Sequence, residues 1–151
     1  MPDLTTSSIV IAADRAAIMS VIADFASYPA WAKGVKSTQV LRQGENGRPL
    51  EVTFVLDAAP IRDEYTLRYD WDDDTQVTWS LVEATMLKSV QGAYLLTPQG
   101  DSTDVAYQLS VDLAVPMIGM LKRKGEKVII DTALKGLKAR VEAQPDPAGS
   151  R

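Results

Sequence analysis

The chain of 151 residues contains no cysteine and no histidine. Without cysteine it has no disulfide, no thiol nucleophile and no thiolate ligand for a metal. Without histidine it lacks the side chain that most often acts as a general base near neutral pH, and also the commonest metal ligand. The sequence therefore predicts no metal site and no bound cofactor, and any acid-base chemistry would fall to tyrosine, aspartate or glutamate.

Long apolar runs and a positive net charge are also missing. No apolar run approaches the roughly 20 residues that a membrane-spanning helix needs, and no signal peptide opens the chain. The net charge of −4 argues against nucleic-acid binding. Apolar residues still make up 46% of the sequence, enough for one domain with a real core. We therefore expect a soluble, cytoplasmic protein with a single domain over residues 1–142 and a flexible tail over 143–151.

One long helix, Pro116–Glu142, is predicted from apolar or small residues at spacings of three and four. Its predicted inward face consists of Ile118, Leu121, Gly125, Val128, Ile129, Thr132, Ala133, Gly136, Leu137 and Val141. The small residues on this face have two explanations: the helix backbone packs closely on a sheet, or the face leaves room for a ligand. The segment holds seven basic and three acidic residues, so it carries +4 while the remainder carries −8.

Before this helix, alternating apolar and polar residues predict a run of antiparallel strands. The predicted strands are Leu4–Ala12, Val35–Gln43, Leu50–Leu56, Ile61–Trp71, Gln76–Val82, Leu87–Leu96 and Thr103–Leu113. Two short helices follow the first strand: Arg15–Ala23, capped by Asp14, and a second helix capped by Asp24. Gly92 indicates a bulge in the sixth strand, which leaves the facing of that strand open. Strands segregated from helices indicate an α+β fold in which a C-terminal helix covers one curved sheet.

This order of elements resembles the helix-grip fold of the START-like, polyketide cyclase/dehydrase and lipid-transport superfamily. The segments that carry the resemblance are Asp24–Trp31, Gly92–Asp101 and Ala133–Glu142. The resemblance implies a cavity between sheet and helix for a hydrophobic or amphipathic ligand. Many members carry or store lipids and some are cyclases of polyketide chains. Because the superfamily has no shared catalytic motif, the resemblance implies no catalytic residue.

The cavity that the resemblance implies would be lined by residues on the inward side of each predicted element. These are Trp31, Phe54, Tyr65, Tyr69, Trp79, Tyr107, Leu121, Val128, Ile129 and Thr132. Met117, Ile118 and Met120 are predicted to form its mouth. The basic residues Lys122–Lys124 follow directly, and they have two explanations. They are ordinary solvated helix charges beside methionines that plug the core, or they belong to a surface that transiently contacts anionic membranes.

Asp63 and Glu126 are weak candidates for acid-base catalysis. Asp63 shares an inward strand face with Tyr65, where burial would raise the pKa of its carboxyl group. The simpler explanation, which we favour, is that Asp63 lies near the start of its strand and reaches water. Glu126 follows Lys122 by four residues, and we favour its interpretation as an ordinary surface ion pair.

The sequence therefore favours a non-catalytic protein that binds or transports a hydrophobic small molecule, either lipid-like or aromatic. One alternative is a polyketide cyclase or dehydratase that acts on a substrate bound in the cavity. A second alternative is an interaction protein whose cavity is vestigial.

Overall fold

The computed structural model describes residues 4–44, 47–58, 61–113 and 119–143, which form one seven-stranded antiparallel sheet and its helices. The strands are β1 (Thr5–Ile11), β2 (Val35–Gln43), β3 (Pro49–Ala58), β4 (Ile61–Asp72), β5 (Gln76–Ala84), β6 (Leu87–Gln99) and β7 (Ser102–Leu113). Their order in the sheet is β1-β7-β6-β5-β4-β3-β2, so the first strand pairs with the last. The predicted α+β fold, with one curved sheet and a long C-terminal helix, is confirmed.

The helices lie after β1 and after β7. They are α1 (Arg15–Ala23), a 3-10 turn (Phe25–Ser27), the short α2 (Tyr28–Trp31) and the long α3 (Gly119–Ala143). Asp14 caps α1 as predicted, because its carboxylate accepts the backbone N–H of Ala17 at 2.8 Å. Asp24 stands at the N-terminus of the 3-10 turn, but its carboxylate accepts the hydroxyl of Ser27 rather than a backbone N–H, so the predicted side-chain cap of a second helix is wrong. No helix in the described ranges is long and apolar enough to cross a membrane.

The core lies between one face of the sheet and the helices. The inward strand positions are buried on the predicted side: Val52, Phe54, Leu67, Tyr69, Val77, Trp79, Val105, Tyr107 and Leu109. Helix α1 contributes Ile18, Met19 and Ile22 to the same core. Burying one such aliphatic side chain contributes about 1.5–3 kcal/mol, so the alternation along the strands is sufficient to fix which face is covered.

Strand β6 is irregular at Lys88 rather than at Gly92. Its register with β7 shifts between Leu87 and Ser89, so the predicted bulge at Gly92 was wrong. Gly92 instead lies directly opposite Trp79 of β5. A Cβ atom on Gly92 would lie 2.3 Å from the indole ring, which shows that the glycine makes room for it. The inward face of β6 consists of Val90, Tyr94 and Leu96.

The buried stripe of α3 is rotated from the predicted one. Its buried residues are Glu126, Ile130, Leu134, Leu137 and Val141. Gly125 is exposed and Val128 is 60% exposed, so placing these two residues on the inward face was wrong. A shift of one residue corresponds to about 100° around a helix, which accounts for the difference. Glu126 was predicted to form a surface ion pair, but its carboxylate is buried. The helix includes Ala143, and the rest of the predicted tail lies outside the described residues.

Candidate functional site

All ten aromatic side chains of the protein belong to one network of ring contacts. We call this the aromatic network; its members are Phe25, Tyr28, Trp31, Phe54, Tyr65, Tyr69, Trp71, Trp79, Tyr94 and Tyr107. The centroids of contacting rings are 4.6–6.3 Å apart. Aromatic pairs at such separations attract each other beyond the gain from burying their area. The aromatic network is therefore a mainly apolar cluster between sheet and helices, which its ring contacts stabilise.

The centre of the aromatic network is built by cross-strand neighbours. Tyr94 of β6 pairs with Tyr107 of β7, and their ring centroids are 4.6 Å apart. Tyr69 of β4 pairs with Trp79 of β5. The indole of Trp79 contacts Tyr94 at 5.4 Å and Tyr107 at 5.5 Å. Three tyrosines thus surround one tryptophan on the inward face of the sheet.

The segment after α1 closes the aromatic network on the other side. The ring of Tyr28 lies 4.9 Å from both Phe25 and Trp31. Tyr28 also contacts Phe54 of β3 at 6.0 Å, and Phe54 stacks on Tyr65 of β4 at 5.4 Å. The short helix and the sheet are therefore joined by ring contacts.

Helix α3 packs directly on Trp31 through Gly136. A Cβ atom on Gly136 would lie 3.0 Å from the backbone oxygen of Trp31 and 3.4 Å from its ring. Close packing is therefore the explanation for this glycine, rather than space left for a ligand. Gly125 differs, since a Cβ atom there would meet nothing within 4 Å.

The hydroxyl groups of the aromatic network are unequally bonded. The hydroxyl of Tyr28 donates to the carbonyl of Ile22 at 2.6 Å. Within the described ranges, no hydrogen bond is made by the hydroxyls of Tyr65, Tyr69, Tyr94 and Tyr107. The indole N–H of Trp31 is buried and likewise has no acceptor among the described residues. Among the described residues, the indole N–H of Trp31 is therefore the one fully buried side-chain group without a hydrogen-bond partner.

The pKa of all five tyrosines is raised, with burial as the largest cause. Neighbouring phenols add to the effect of burial: Tyr28, Tyr65, Tyr107 and Tyr94 each raise the pKa of Tyr69 further. Burial and nearby groups that would carry the same charge both disfavour the ionised form. The phenols therefore stay protonated at neutral pH, and each can donate one hydrogen bond.

Asp63 holds the turn between β5 and β6. Its carboxylate accepts backbone N–H groups of Glu64, Thr85, Met86 and Leu87 at 2.8 to 3.1 Å. The residue is only 7% exposed, so the expectation that it reaches water was wrong. Burial alone raises the pKa of this carboxyl group, but the four hydrogen bonds outweigh burial and lower it. The alternative prediction of a raised pKa was also wrong, and we assign Asp63 a structural role.

Glu126 of α3 is buried beside Thr5, the first residue of β1, and is only 2% exposed. Its Oε1 accepts the hydroxyl of Thr5 at 2.6 Å, and its Oε2 accepts the backbone N–H of Val111 at 2.7 Å and the ammonium of Lys122. The pairing of β1 with β7 stops at Thr5 and Leu109, so the carboxylate binds an N–H that a longer β1 would have covered. The predicted pair with Lys122 exists, but its description as a surface pair was wrong.

The sequence matches the family model described as polyketide cyclase / dehydrase and lipid transport over residues 3–142. The chain belongs to this family.

Solved structures share the fold of this family member. A START superfamily protein from Mycobacterium smegmatis is 22% identical, covers 92% of this chain and 97% of its own, and gives a TM-score of 0.85. A protein from Thermus thermophilus is 24% identical over 98% of this chain and 100% of its own, with a TM-score of 0.77. The Zhui aromatase/cyclase from Streptomyces is 14% identical over 100% of both chains, also with a TM-score of 0.77. No curated protein matches the sequence.

In this member of the polyketide cyclase / dehydrase and lipid-transport family, the residues that were predicted to line a cavity divide into three groups. The six aromatic ones all belong to the aromatic network: Trp31, Phe54, Tyr65, Tyr69, Trp79 and Tyr107. On α3, Ile129 and Thr132 are half-buried, whereas Val128 faces solvent. Met117 and Ile118, together with the side chains of Met120 and Leu121, lie outside the described residues. The predicted mouth therefore stays a prediction.

Sequence reasoning missed four members of the aromatic network as cavity candidates: Phe25, Tyr28, Trp71 and Tyr94. Tyr94 was missed because the facing of β6 was open. The facing of Tyr94 follows from Tyr107, its partner on β7. The alternation of apolar and polar residues along β7 places Tyr107 on the inward face, and paired residues lie on the same face of a sheet. Among the described residues, no group of side chains is suited to hold a metal ion.

Proposed function

We propose that this protein binds a hydrophobic small molecule in a space between its sheet and helix α3. The observation that carries the proposal is the aromatic network, which gathers every aromatic ring of the chain into one lining. Ligand pockets are typically lined by apolar and aromatic side chains with a few polar groups that orient the ligand. Membership of a family of polyketide cyclases, dehydrases and lipid-transport proteins supports the same class of ligand.

The state of the titratable groups supports binding without turnover. A cyclase or dehydratase needs a group that takes a proton from its substrate. The carboxylate of Asp63 is occupied by four backbone N–H groups, and that of Glu126 by three donors. The phenols have raised pKa values and so remain acids rather than bases at neutral pH. We therefore propose a carrier, and the cyclase is the alternative that turnover of a polyketide chain would establish.

Two alanine-to-leucine variants of α3 provide the test. Ala133 is half-buried and packs against the core, whereas Ala139 is exposed on the same helix. Leucine changes the helix propensity equally at both positions, so only the location of the added volume differs. A hydrophobic probe such as anthracene should bind the native protein at micromolar concentration and quench its tryptophan emission. Ala133→Leu should weaken this binding and Ala139→Leu should not.

Two results would contradict the proposal. One is that the native protein binds neither anthracene nor a fatty acid at their solubility limits. The other is that both leucine variants bind the probes as well as the native protein does. Thermal unfolding of each variant, measured in parallel, separates a filled binding space from a destabilised fold.

A further inference from the structure

Gly92 lies on the inward face of β6, between Val90 and Tyr94, and provides no side chain there. Glycine inside a strand often marks a place where another group approaches the backbone closely. Here that group is the indole of Trp79, the partner of Gly92 on β5. A Cβ atom on residue 92 would lie 2.3 Å from Cε2 of this ring and 2.4 Å from both Cζ2 and Nε1. The indole therefore occupies the volume that a side chain at position 92 would need.

Trp79 lies at the centre of the sheet, where it has little freedom to move sideways. Its strand, β5, is the fourth of seven, and its ring belongs to the core between sheet and helices. Tyr69 on β4 and Tyr94 on β6 contact the indole at 5.8 and 5.4 Å, and Tyr107 on β7 contacts it at 5.5 Å. The paired backbones of β5 and β6 lie on its other side. A displaced indole must therefore move away from the sheet, towards the helices.

We infer that residue 92 sets the depth of the proposed binding space, and with it the size of ligand that the protein accepts. The inference rests on the proposed function. Because residue 92 is glycine, the indole of Trp79 lies close to the backbone of β6 and leaves the space in front of it open. A larger residue at this position would push the indole into that space. Trp79 is thus a specificity-determining residue that contacts the ligand, and Gly92 positions it.

Two aromatic hydrocarbons of different size provide the test. Naphthalene has two fused rings and anthracene has three, and neither has a polar group, so a variant that changes the ratio of their affinities has changed the size that fits. Gly92→Ala should weaken anthracene binding by about tenfold, the equivalent of one overpacked contact, and naphthalene binding much less. Gly125→Ala is the matched control, because it adds the same methyl group at an exposed position with no atom within 4 Å. It should leave the ratio unchanged.

Variants of Trp79 then assign the effect to the indole. Trp79→Phe puts a smaller ring at the same place, so it should raise the ratio of anthracene affinity to naphthalene affinity above the native value. Combining it with Gly92→Ala should restore at least the native ratio, because the phenyl ring leaves room for the new methyl group. A mere loss of stability in Gly92→Ala would not be reversed by a second core substitution. The fluorescence of the hydrocarbons themselves measures binding in every variant, and Trp79→Phe alone decides if Gly92→Ala fails to fold.

The outcomes separate this inference from the proposed function. If naphthalene, anthracene and palmitate all fail to bind the native protein, the proposed function fails and the inference with it. If the hydrocarbons bind with the same affinity ratio in the native protein, Gly92→Ala and Trp79→Phe, hydrophobic binding stands and the inference is overturned. Binding of palmitate without either hydrocarbon would likewise overturn the inference alone.

Discussion

Single side chains in this protein act as acceptors for backbone groups that the sheet leaves unpaired. Asp63 accepts N–H groups around the β5–β6 turn, and Glu126 accepts the N–H of Val111 beyond the end of β1. A buried N–H without an acceptor costs free energy comparable to a lost hydrogen bond. Both carboxylates therefore stabilise the fold by accepting backbone N–H groups, although a buried charged residue is first considered as a candidate for acid-base catalysis.

Replacing Asp63 with asparagine should lower the free energy of unfolding by about 3 kcal/mol, because the amide NH2 group cannot accept the N–H groups that face it. Chemical denaturation at neutral pH measures this loss. Asp70→Asn is the matched control, an exposed position on the same strand, and should change little.

The free energy of unfolding of Asp63→Asn should also depend less on pH in the acid range. The pKa of this carboxyl group is lower in the folded protein than in the unfolded chain. Its stabilising contribution is therefore present above the unfolded-state pKa of about 4, and is lost as pH falls through the folded-state value. The native protein should lose stability below about pH 4 more steeply than Asp63→Asn. Equal slopes for both proteins would show that Asp63 does not act in this way.

Gly92→Ala should displace the indole of Trp79. The added Cβ would lie 2.3 Å from that ring, closer than any real contact, so the indole or the strand must shift. Such overpacking costs about 1–3 kcal/mol. Denaturation curves for Gly92→Ala, Trp79→Phe and the double variant form a cycle, and the two substitutions should be strongly non-additive. If the free-energy changes of the two substitutions simply add, the contact with Trp79 does not explain why residue 92 is glycine.

Among the secondary-structure elements, the strands were predicted more accurately than the long helix. Strand side chains alternate with a period of two, so one correct assignment fixes the facing of Tyr69, Trp79 and Tyr107 together. On α3 the buried stripe depends on Glu126, which is held by Thr5 and Val111 from distant parts of the chain. The helical pattern alone holds no information about these partners. The same limit applies to Gly92, whose role depends on a ring in the neighbouring strand.

The two glycines of α3 should respond differently to alanine. In a helix interior, alanine is favoured over glycine by about 1 kcal/mol. Gly125→Ala should gain roughly this amount, because the new methyl group meets no neighbour within 4 Å. Gly136→Ala should gain less or lose stability, since its methyl group would press on Trp31. Thermal melts of both variants would decide, and equal gains would refute close packing at Gly136.

Contact between α3 and anionic membranes stays a prediction, with one residue reassigned. Lys122 is half-buried and bonded to Glu126 and Ser110, so it is held within the protein. Lys124 is exposed on the same helix and would supply about 1 kcal/mol of attraction to an anionic surface. In vesicle sedimentation, Lys124→Gln should weaken binding to anionic vesicles, whereas Lys122→Gln should mainly lower stability. Equal binding of the native protein to neutral and anionic vesicles would contradict the predicted contact with anionic membranes.

For the molecule as a whole, the five tyrosines should make stability fall at alkaline pH. Their pKa values are raised in the folded state, so their contribution is complete below the unfolded-state value of about 10 and is lost as pH rises towards the folded-state values. Phenolate absorbance should therefore appear together with the loss of near-ultraviolet circular dichroism. Titration of several tyrosines near pH 10 in a protein that keeps its dichroism would contradict this expectation.

The position of Glu126 also bears on how copies of this protein behave towards each other. An open strand edge offers N–H and C=O groups on which a strand from another molecule can add, and this is how many proteins begin to aggregate. Strand β7 continues past Leu109, where its pairing with β1 ends, and the carboxylate of Glu126 occupies the N–H of Val111 there. A long helix thus brings an acceptor from the same chain to this N–H. The side chain that was a weak candidate for catalysis leaves one N–H fewer at this edge for a strand of another molecule to pair with.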